Sequence, residues 1–459
     1  MFISTNWRYQ LSRYNFFAII ATLVSLTLIE YKYSIIQTFI SYLNQHNRVN
    51  NIVGIFIVLL ISYLASYKKN SINFKLILSG LLIHLSLGLL VLKTSIGSNT
   101  LEYISGLISK LYLAADKGIE FVFGKLSIIK EPSDFIFAIK VLPVIVFFGA
   151  FISLLFHLKI IQKTVYFISL FLRPILGTSG AETLCTVANS FLGQTEAPLL
   201  IKSYLKNMTR SEFMLVMISG MSTISAAILA VFASIGVPAK HLLASSILSI
   251  PASIIISKIL YPETEIPQTL NMTKIDSEVK TINIIDAIST GTTDGLYLAL
   301  NVGAMLIAFI ALISMANNIL DFSCLTINNI FQYLNINFKL SSITLDNILG
   351  FICLPFGWLL GFKDAEAFKI AELIGTKIAI NELVAYSKMV NYGLSERAIA
   401  ITTYALCGFS NFSCIGIQIG AIGALVPEKR KWLSEFGLKA VLGGALANLL
   451  SALIAGLLI

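Results

Sequence analysis

Charge is scarce in this chain. Of its 459 residues, 12% are charged and 56% are hydrophobic, whereas a soluble domain carries about 25% charged residues. The mean hydropathy is +0.83. These values exclude an ordinary soluble fold and predict an all-α polytopic membrane protein. The net charge of +9 is not a nucleic-acid footprint, because basic residues in such chains collect in short cytoplasmic loops. Histidine and cysteine are also sparse. His46, His84, His157 and His241 are scattered, and none pairs with Cys or Glu at ligand spacing. Cys185, Cys324, Cys353, Cys407 and Cys414 show no CxxC spacing and read as buried free thiols. No resident metal centre or organic cofactor is expected. A membrane enzyme would want a nucleophile–base pair or metal ligands, and no histidine lies in the polar segments. A channel would want a continuous pore-lining ring, not the interrupted segments found here.

What the chain does have is apolar runs near the ~20 residues needed to cross a bilayer. The first spans about Tyr14 to Ile29, behind Arg8 and Arg13, and reads as an uncleaved signal anchor. Others lie near 50–67, 74–92, 135–157, 212–235, 240–260, 288–317, 398–425 and 437–459. About nine transmembrane crossings follow. Residues 99–128 mix Leu101, Ile104, Leu107, Ile108 and Leu111 with Lys110, Asp116, Lys117 and Glu120, which predicts an amphipathic helix at the interface. Residues 261–281 form a polar, solvated linker. Placing the N-terminus inside puts Lys68-Lys69, Lys159, Lys163, Lys202, Lys206, Arg210 and Lys429-Arg430-Lys431 on the cytoplasmic side. The C-terminus then ends outside.

Two segments, 183–205 and 348–386, are apolar but interrupted by Gly, Pro and charge. Each precedes a crossing with a polar break: Ser222-Thr223 in the first half, Gly408 to Ser413 in the second. Interrupted segments at corresponding positions of two halves point to a transporter binding site. An ionisable side chain at bilayer depth costs several kcal/mol (~2.5–3.5 by the milder scales), so Glu196 and Glu382 are functional candidates. Gln194 and Asn381 accompany them, and carboxylate plus amide suits a polar, uncharged ligand with several donors and acceptors. An anionic ligand would call for Arg or Lys. Asn189 and Thr223 offer hard oxygens beside a helix break, as a Na+ site requires, or Asn189 simply caps a broken helix. Asn411, Ser413 and Cys414 lie beyond Gly408 and could equally serve helix–helix bonding.

These residues carry a resemblance. Phe137-Ala138 with Val141-Leu142-Pro143, Gly177-Thr178-Ser179-Gly180-Ala181-Glu182, Asn189 with Gly193-Gln194-Thr195-Glu196-Ala197-Pro198-Leu199, and Pro262-Glu263-Thr264-Glu265 occur in order. Leu298 to Ala304, Asn381-Glu382 with Val384-Ala385-Tyr386, and Tyr404 to Phe409 with Asn411-Phe412 follow. The set resembles the concentrative nucleoside transporters over about residues 50–459. The resemblance implies nucleoside import by symport with Na+, or with H+ as the alternative, and no enzyme activity. It implies a homotrimer in the bacterial inner membrane, with two opposed re-entrant hairpins in the transport part. Residues 1–49 would add a helix, 50–157 form scaffold, 158–239 the first transport half, 240–320 mainly scaffold and 321–459 the second half. Gln194, Thr195 and Glu196 would then address the base, and Glu382, Asn411 and Cys414 the ribose. Ile228 and Phe409 would flank the nucleoside. Asn189 and Thr223 side chains, with the backbones of Leu192, Thr223 and Ile224, would bind Na+. Three departures stand out: Cys414 where serine is familiar, Ala226 where glycine is common, and Lys140 where a neutral residue is common.

Overall fold

A computed structural model describes residues 41–127, 136–269, 281–338 and 340–459. The run from Tyr14 to Ile29, with Arg8 and Arg13, and linker positions 270–280 lie outside the described residues. Every regular element described is a helix, as expected where lipid leaves backbone groups no other partner. The longer helices are α1 (Arg48–Leu64), α2 (Phe74–Lys93), α3 (Ser95–Phe123), α4 (Leu142–His157), α5 (Ile160–Leu176) and α6 (Gly180–Asn189). Then follow α7 (Arg210–Ser222), α8 (Ala226–Ser234), α9 (Ala239–Leu260), α10 (Ile284–Tyr333), α11 (Leu345–Leu359) and α12 (Asp364–Ala379). The chain closes with α13 (Glu382–Met389), α14 (Glu396–Leu406), α15 (Phe412–Leu425) and α16 (Arg430–Leu458). Seven described helices are long and apolar enough to cross a bilayer, and each matches one expected run. The remaining described run, 398–425, is divided into α14 and α15.

Burial separates the helices into two groups. The membrane-length windows of α7–α8, α9 and α16 are each 89% buried, whereas that of α10 is 6% buried. Helix α16 sits at the centre, packed against α1, α7, α9, α14 and α15. Its small residues Gly443, Gly444, Ala447 and Ala452 let those neighbours close in. Helix α10 is different. Apart from Cys324, its buried residues are Ala287, Gly291, Gly295 and Ala299, a four-residue repeat, and this stripe lies against α4 with Gly291 backbone touching Gly149. Small residues at such spacing let two helices approach closely where lipid gives no hydrophobic drive to pack. The rest of α10 presents Ile307, Ile310, Ile319 and Phe322 outward. Its 50 residues span about 75 Å at 1.5 Å per residue, far beyond the ~30 Å hydrocarbon layer.

Helix ends follow local sequence. Asn73 caps α2, accepting from the Lys75 and Leu76 amides at 3.1 and 3.3 Å. Ser179 with Glu182, and Thr209 with Glu212, form capping boxes that open α6 and α7. The two boxes are tied together: Ser179 Oγ donates to Glu212 Oε1 at 2.5 Å, and Lys258 Nζ of α9 reaches Glu182 Oε2 at 2.7 Å and Ser211 Oγ at 3.1 Å. Thr209 Oγ1 donates to Glu263 Oε2 at 2.7 Å, which explains the acidic Pro262–Glu265 motif as part of this clamp. Helices α11 and α12 meet at a bend of 116°. Asn47, Asn50 and Asn51 hold that bend, donating to the carbonyls of Gly361, Trp358 and Leu359 at 3.2, 3.1 and 3.1 Å. Lys140 pairs with Asp116 of α3 at 2.6 Å, so its charge joins the amphipathic helix to the start of α4.

Candidate functional site

Two helix–turn–helix segments and two helix breaks build the site. The first segment is α6, a turn at 190–196 and the helical run Ala197–Ile201. Gly193 sits in that turn at φ +93°, and a side chain there would meet Ser225 Cβ at 2.9 Å. Glycine is therefore required twice, for conformation and for close approach. Ser225 belongs to the first break, residues 223–225, between α7 and α8. The Ala226 amide donates to the Phe191 carbonyl at 3.0 Å, which pins the turn to the break.

The ion-site candidates meet at this junction. Asn189, fully buried, ends α6 and donates from Nδ2 to Ser219 Oγ of α7 at 2.9 Å. Its Oδ1 is buried without a hydrogen-bond partner. Thr223 Oγ1 donates to the Ser219 carbonyl at 2.8 Å, and Thr223 itself is extended at φ −122°, ψ 167°. Leu192 and Ile224 are buried on the two strands of chain that meet here. An orphaned buried acceptor is costly (~1–3 kcal/mol) unless something fills it. Asn189 does not cap a helix: its amide crosses to α7 and leaves its oxygen free. Hard neutral oxygens of this kind fit a monovalent cation, and no group of three or more His, Cys, Asp or Glu occurs among the described residues to hold a transition metal.

The substrate candidates form a second cluster. The second break, residues 407–411, separates α14 from α15. Glu382 begins α13 and is 7% exposed, and its Oε2 accepts from Asn411 Nδ2 at 3.1 Å. Asn411 also caps α15, its Oδ1 accepting from the Cys414 amide at 3.0 Å and from Ser413 Oγ at 2.7 Å. Gln194 Nε2 reaches Cys414 Sγ at 3.2 Å. The second helix–turn–helix segment is α12, a turn at 380–381 and α13, and the chain Glu382, Asn411, Cys414, Gln194 links it to the first. Thr195 and Glu196 are exposed beside it, and no hydrogen bond or ion pair holds the Glu196 carboxylate among the described residues. Ile228 is buried on the first turn of α8, and Phe409 is half-buried in the second break. Asn381 caps α13, its Oδ1 accepting from the Val384 amide at 2.9 Å.

Three residues belong to this site that the sequence reading passed over. Ser219 orients Asn189. Gln418, buried, donates from Nε2 to Gln194 Oε1 at 3.1 Å and to the Met217 carbonyl at 3.0 Å, fixing which end of Gln194 faces Cys414. Asn448 joins the two breaks. The signal for Gln418 and Asn448 was present as single amides in apolar helices, a residue class that bonds across helices.

Comparison with known proteins places these features in context. Residues 53–126 and 241–456 match the N- and C-terminal parts of the family described as Na+ dependent nucleoside transporter. Residues 138–239 match a family described as Gate, nucleoside recognition. A Helicobacter pylori protein named nucleoside permease NupC is 38% identical over 420 residues, covering 89% of this chain and 97% of its own length. A Haemophilus influenzae protein known as an uncharacterized transporter is 39% identical, covering 90% and 98%. The structure of CNTnw in an inward-facing substrate-bound state superposes with a TM-score of 0.81 at 36% identity, over 89% of this chain and 98% of that one. An outward-facing CNTnw variant gives 0.81 at 35%, over 90% and 97%.

Proposed function

The chain belongs to the concentrative nucleoside transporter family, a family of membrane carriers and not of enzymes, and from that premise we propose that it imports nucleosides by Na+ symport. One observation carries the ion assignment: Asn189 Oδ1 is buried and unpartnered where the first turn meets the first break. Na+ at that point would be held by the Asn189 and Thr223 side chains and by the Leu192, Thr223 and Ile224 carbonyls. The nucleoside base would lie against Gln194, Thr195 and Glu196, and the ribose against Glu382, Asn411 and Cys414. Ile228 and Phe409 would close on its apolar faces.

Transport would run by alternating access, with the helix–turn–helix segments acting as opposed re-entrant hairpins. On this reading residues 158–239 and 321–459 move, while 50–157 and most of 240–320 form the scaffold of a homotrimer. The bilayer would be the bacterial inner membrane, with the N-terminus cytoplasmic and the C-terminus outside. The test is uptake of labelled uridine and adenosine into proteoliposomes. An inward Na+ gradient should drive accumulation, and an inward proton gradient without Na+ should not. Accumulation that follows pH and ignores Na+ would replace Na+ by H+ as the coupling ion.

A further inference from the structure

The two breaks are joined by one side chain that the transport reading leaves unused. Asn448 lies on α16 and is fully buried. Its Nδ2 donates to the Ser222 carbonyl at 2.7 Å and to the Cys407 carbonyl at 2.8 Å. Ser222 is the last residue before the first break, and Cys407 is the first residue of the second. Its Oδ1 accepts from Lys377 Nζ of α12 at 2.6 Å and from Ser410 Oγ at 3.4 Å. Lys377, itself 1% exposed, also donates to the Ala405 carbonyl at 3.1 Å. The amide orientation follows from chemistry. Carbonyls only accept and an ammonium only donates, so the nitrogen must face the breaks and the oxygen the lysine.

The breaks are also in direct contact. A Cβ on Gly408 would meet Asn448 Oδ1 first, and then the Met221 carbonyl oxygen and the Ser222 carbonyl carbon, both at 2.8 Å. One on Gly444 of α16 would meet Met221 Cβ at 2.9 Å and Ser410 Cβ at 3.0 Å. Asn448 and Gly444 of α16 both lie against the peptide that leads into Thr223 and the turn that leads into Phe409 and Asn411.

We infer that Asn448, oriented by Lys377, is a positioning residue that couples the ion at the first break to the nucleoside at the second. The inference rests on the Na+-symport reading above. An ion held by the Thr223 and Ile224 carbonyls fixes the peptide plane next to Ser222. The shared amide then fixes Cys407, and with it the turn that presents Phe409 and Asn411. Without the ion, the first break gains freedom and the second loses a fixed partner. Coupling of this kind is a free energy between two sites and must act equally in both directions.

The experiment measures uridine binding to the purified full-length protein with saturating Na+ and with Na+ replaced by N-methyl-D-glucamine. The ratio of the two Kd values is the coupling factor. For the parent protein a ratio of about tenfold or more is expected, within the usual range for coupled sites. In Asn448→Ala the ratio should fall below about threefold, and the change in Na+ half-saturation caused by uridine should shrink by the same factor. A purely structural defect would weaken uridine binding in both media alike and leave the ratio intact. Lys377→Met keeps the amide but removes what orients it, and should also lower the ratio. If Asn448→Ala does not yield a monodisperse, cooperatively melting protein, Lys377→Met decides alone. A parent ratio near one overturns the Na+ reading and this inference together. A large parent ratio that persists in the folded variants overturns the inference and leaves the Na+ reading standing.

Discussion

The two helix breaks solve the same physical problem in different ways. Each ends a buried helix and leaves carbonyls at its negative dipole end. At the second break a lysine is brought in directly: Lys377 donates to the Ala405 carbonyl, whereas its support through Asn448 is shared between Cys407 and, at the first break, Ser222. At the first break the nearby groups are neutral: Asn189, Ser219 and Thr223 share two hydrogen bonds and leave Asn189 Oδ1 free. One half carries its cation on a side chain. The other has oxygens arranged for a cation it does not own. That contrast supports placing a mobile ion at the first break and the nucleoside hydroxyls nearer the second.

Three substitutions sharpen the contrast. Gly408→Ala should have the largest effect, because its methyl group meets Asn448 Oδ1 and the backbone of residues 221 and 222 and would push the breaks and their shared amide apart. Overpacking of this kind costs about 1–3 kcal/mol; with both sites displaced together, equilibrium uridine binding should fall by more than about tenfold. Gly420→Ala is the control, since a Cβ there meets nothing within 4 Å, and it should bind uridine like the parent. Equal behaviour of the two variants would remove the contact between breaks from the account.

Glu382→Gln comes next. Hydrogen bonds to an ionised carboxylate contribute about 1.5–3 kcal/mol each, so uridine binding should weaken roughly tenfold. The loss should be smaller for 2′-deoxyuridine and 3′-deoxyuridine. Unchanged uridine uptake at normal expression would remove Glu382 from the ribose site.

Cys414→Ser should be mildest. A hydroxyl can take over the bond from Gln194 Nε2 and is the better donor and acceptor. Uridine affinity should hold or rise by up to about threefold. Inhibition by a small thiol reagent, from which uridine should protect the parent, should disappear. Full reagent sensitivity in the serine variant would place the reactive thiol elsewhere, with Cys407 the next to examine.

Much of this was legible in the chain. The breaks announced themselves through glycine, proline and polar residues inside apolar runs, because few sequences of that kind stay helical in lipid. The Gly193–Pro198 and Asn381–Glu382 motifs marked the two turns for the same reason. The extent of α10 was not legible. Its apolar run fades near Asn317, Asn318 and Asp321, which set the expected end near 317, yet no glycine or proline follows Gly303 before Tyr333 and the helix continues. Asn448 was hidden for another reason. It lies 226 residues from Ser222, and its role exists only once α16 threads between the breaks. Lys377 was visible as a charge in an apolar segment, but its partners are set by tertiary packing alone.

Whether the first break is the ion site is decided by Na+ titration of uridine binding in Asn189→Ala. With the ion at that break, the half-saturating Na+ concentration should rise by about tenfold or more, in the range of lost coordination or charge-assisted bonds, with uridine affinity at saturating Na+ close to the parent value. An unchanged Na+ titration, with uridine affinity reduced instead, would contradict it and move Asn189 from the ion to the nucleoside.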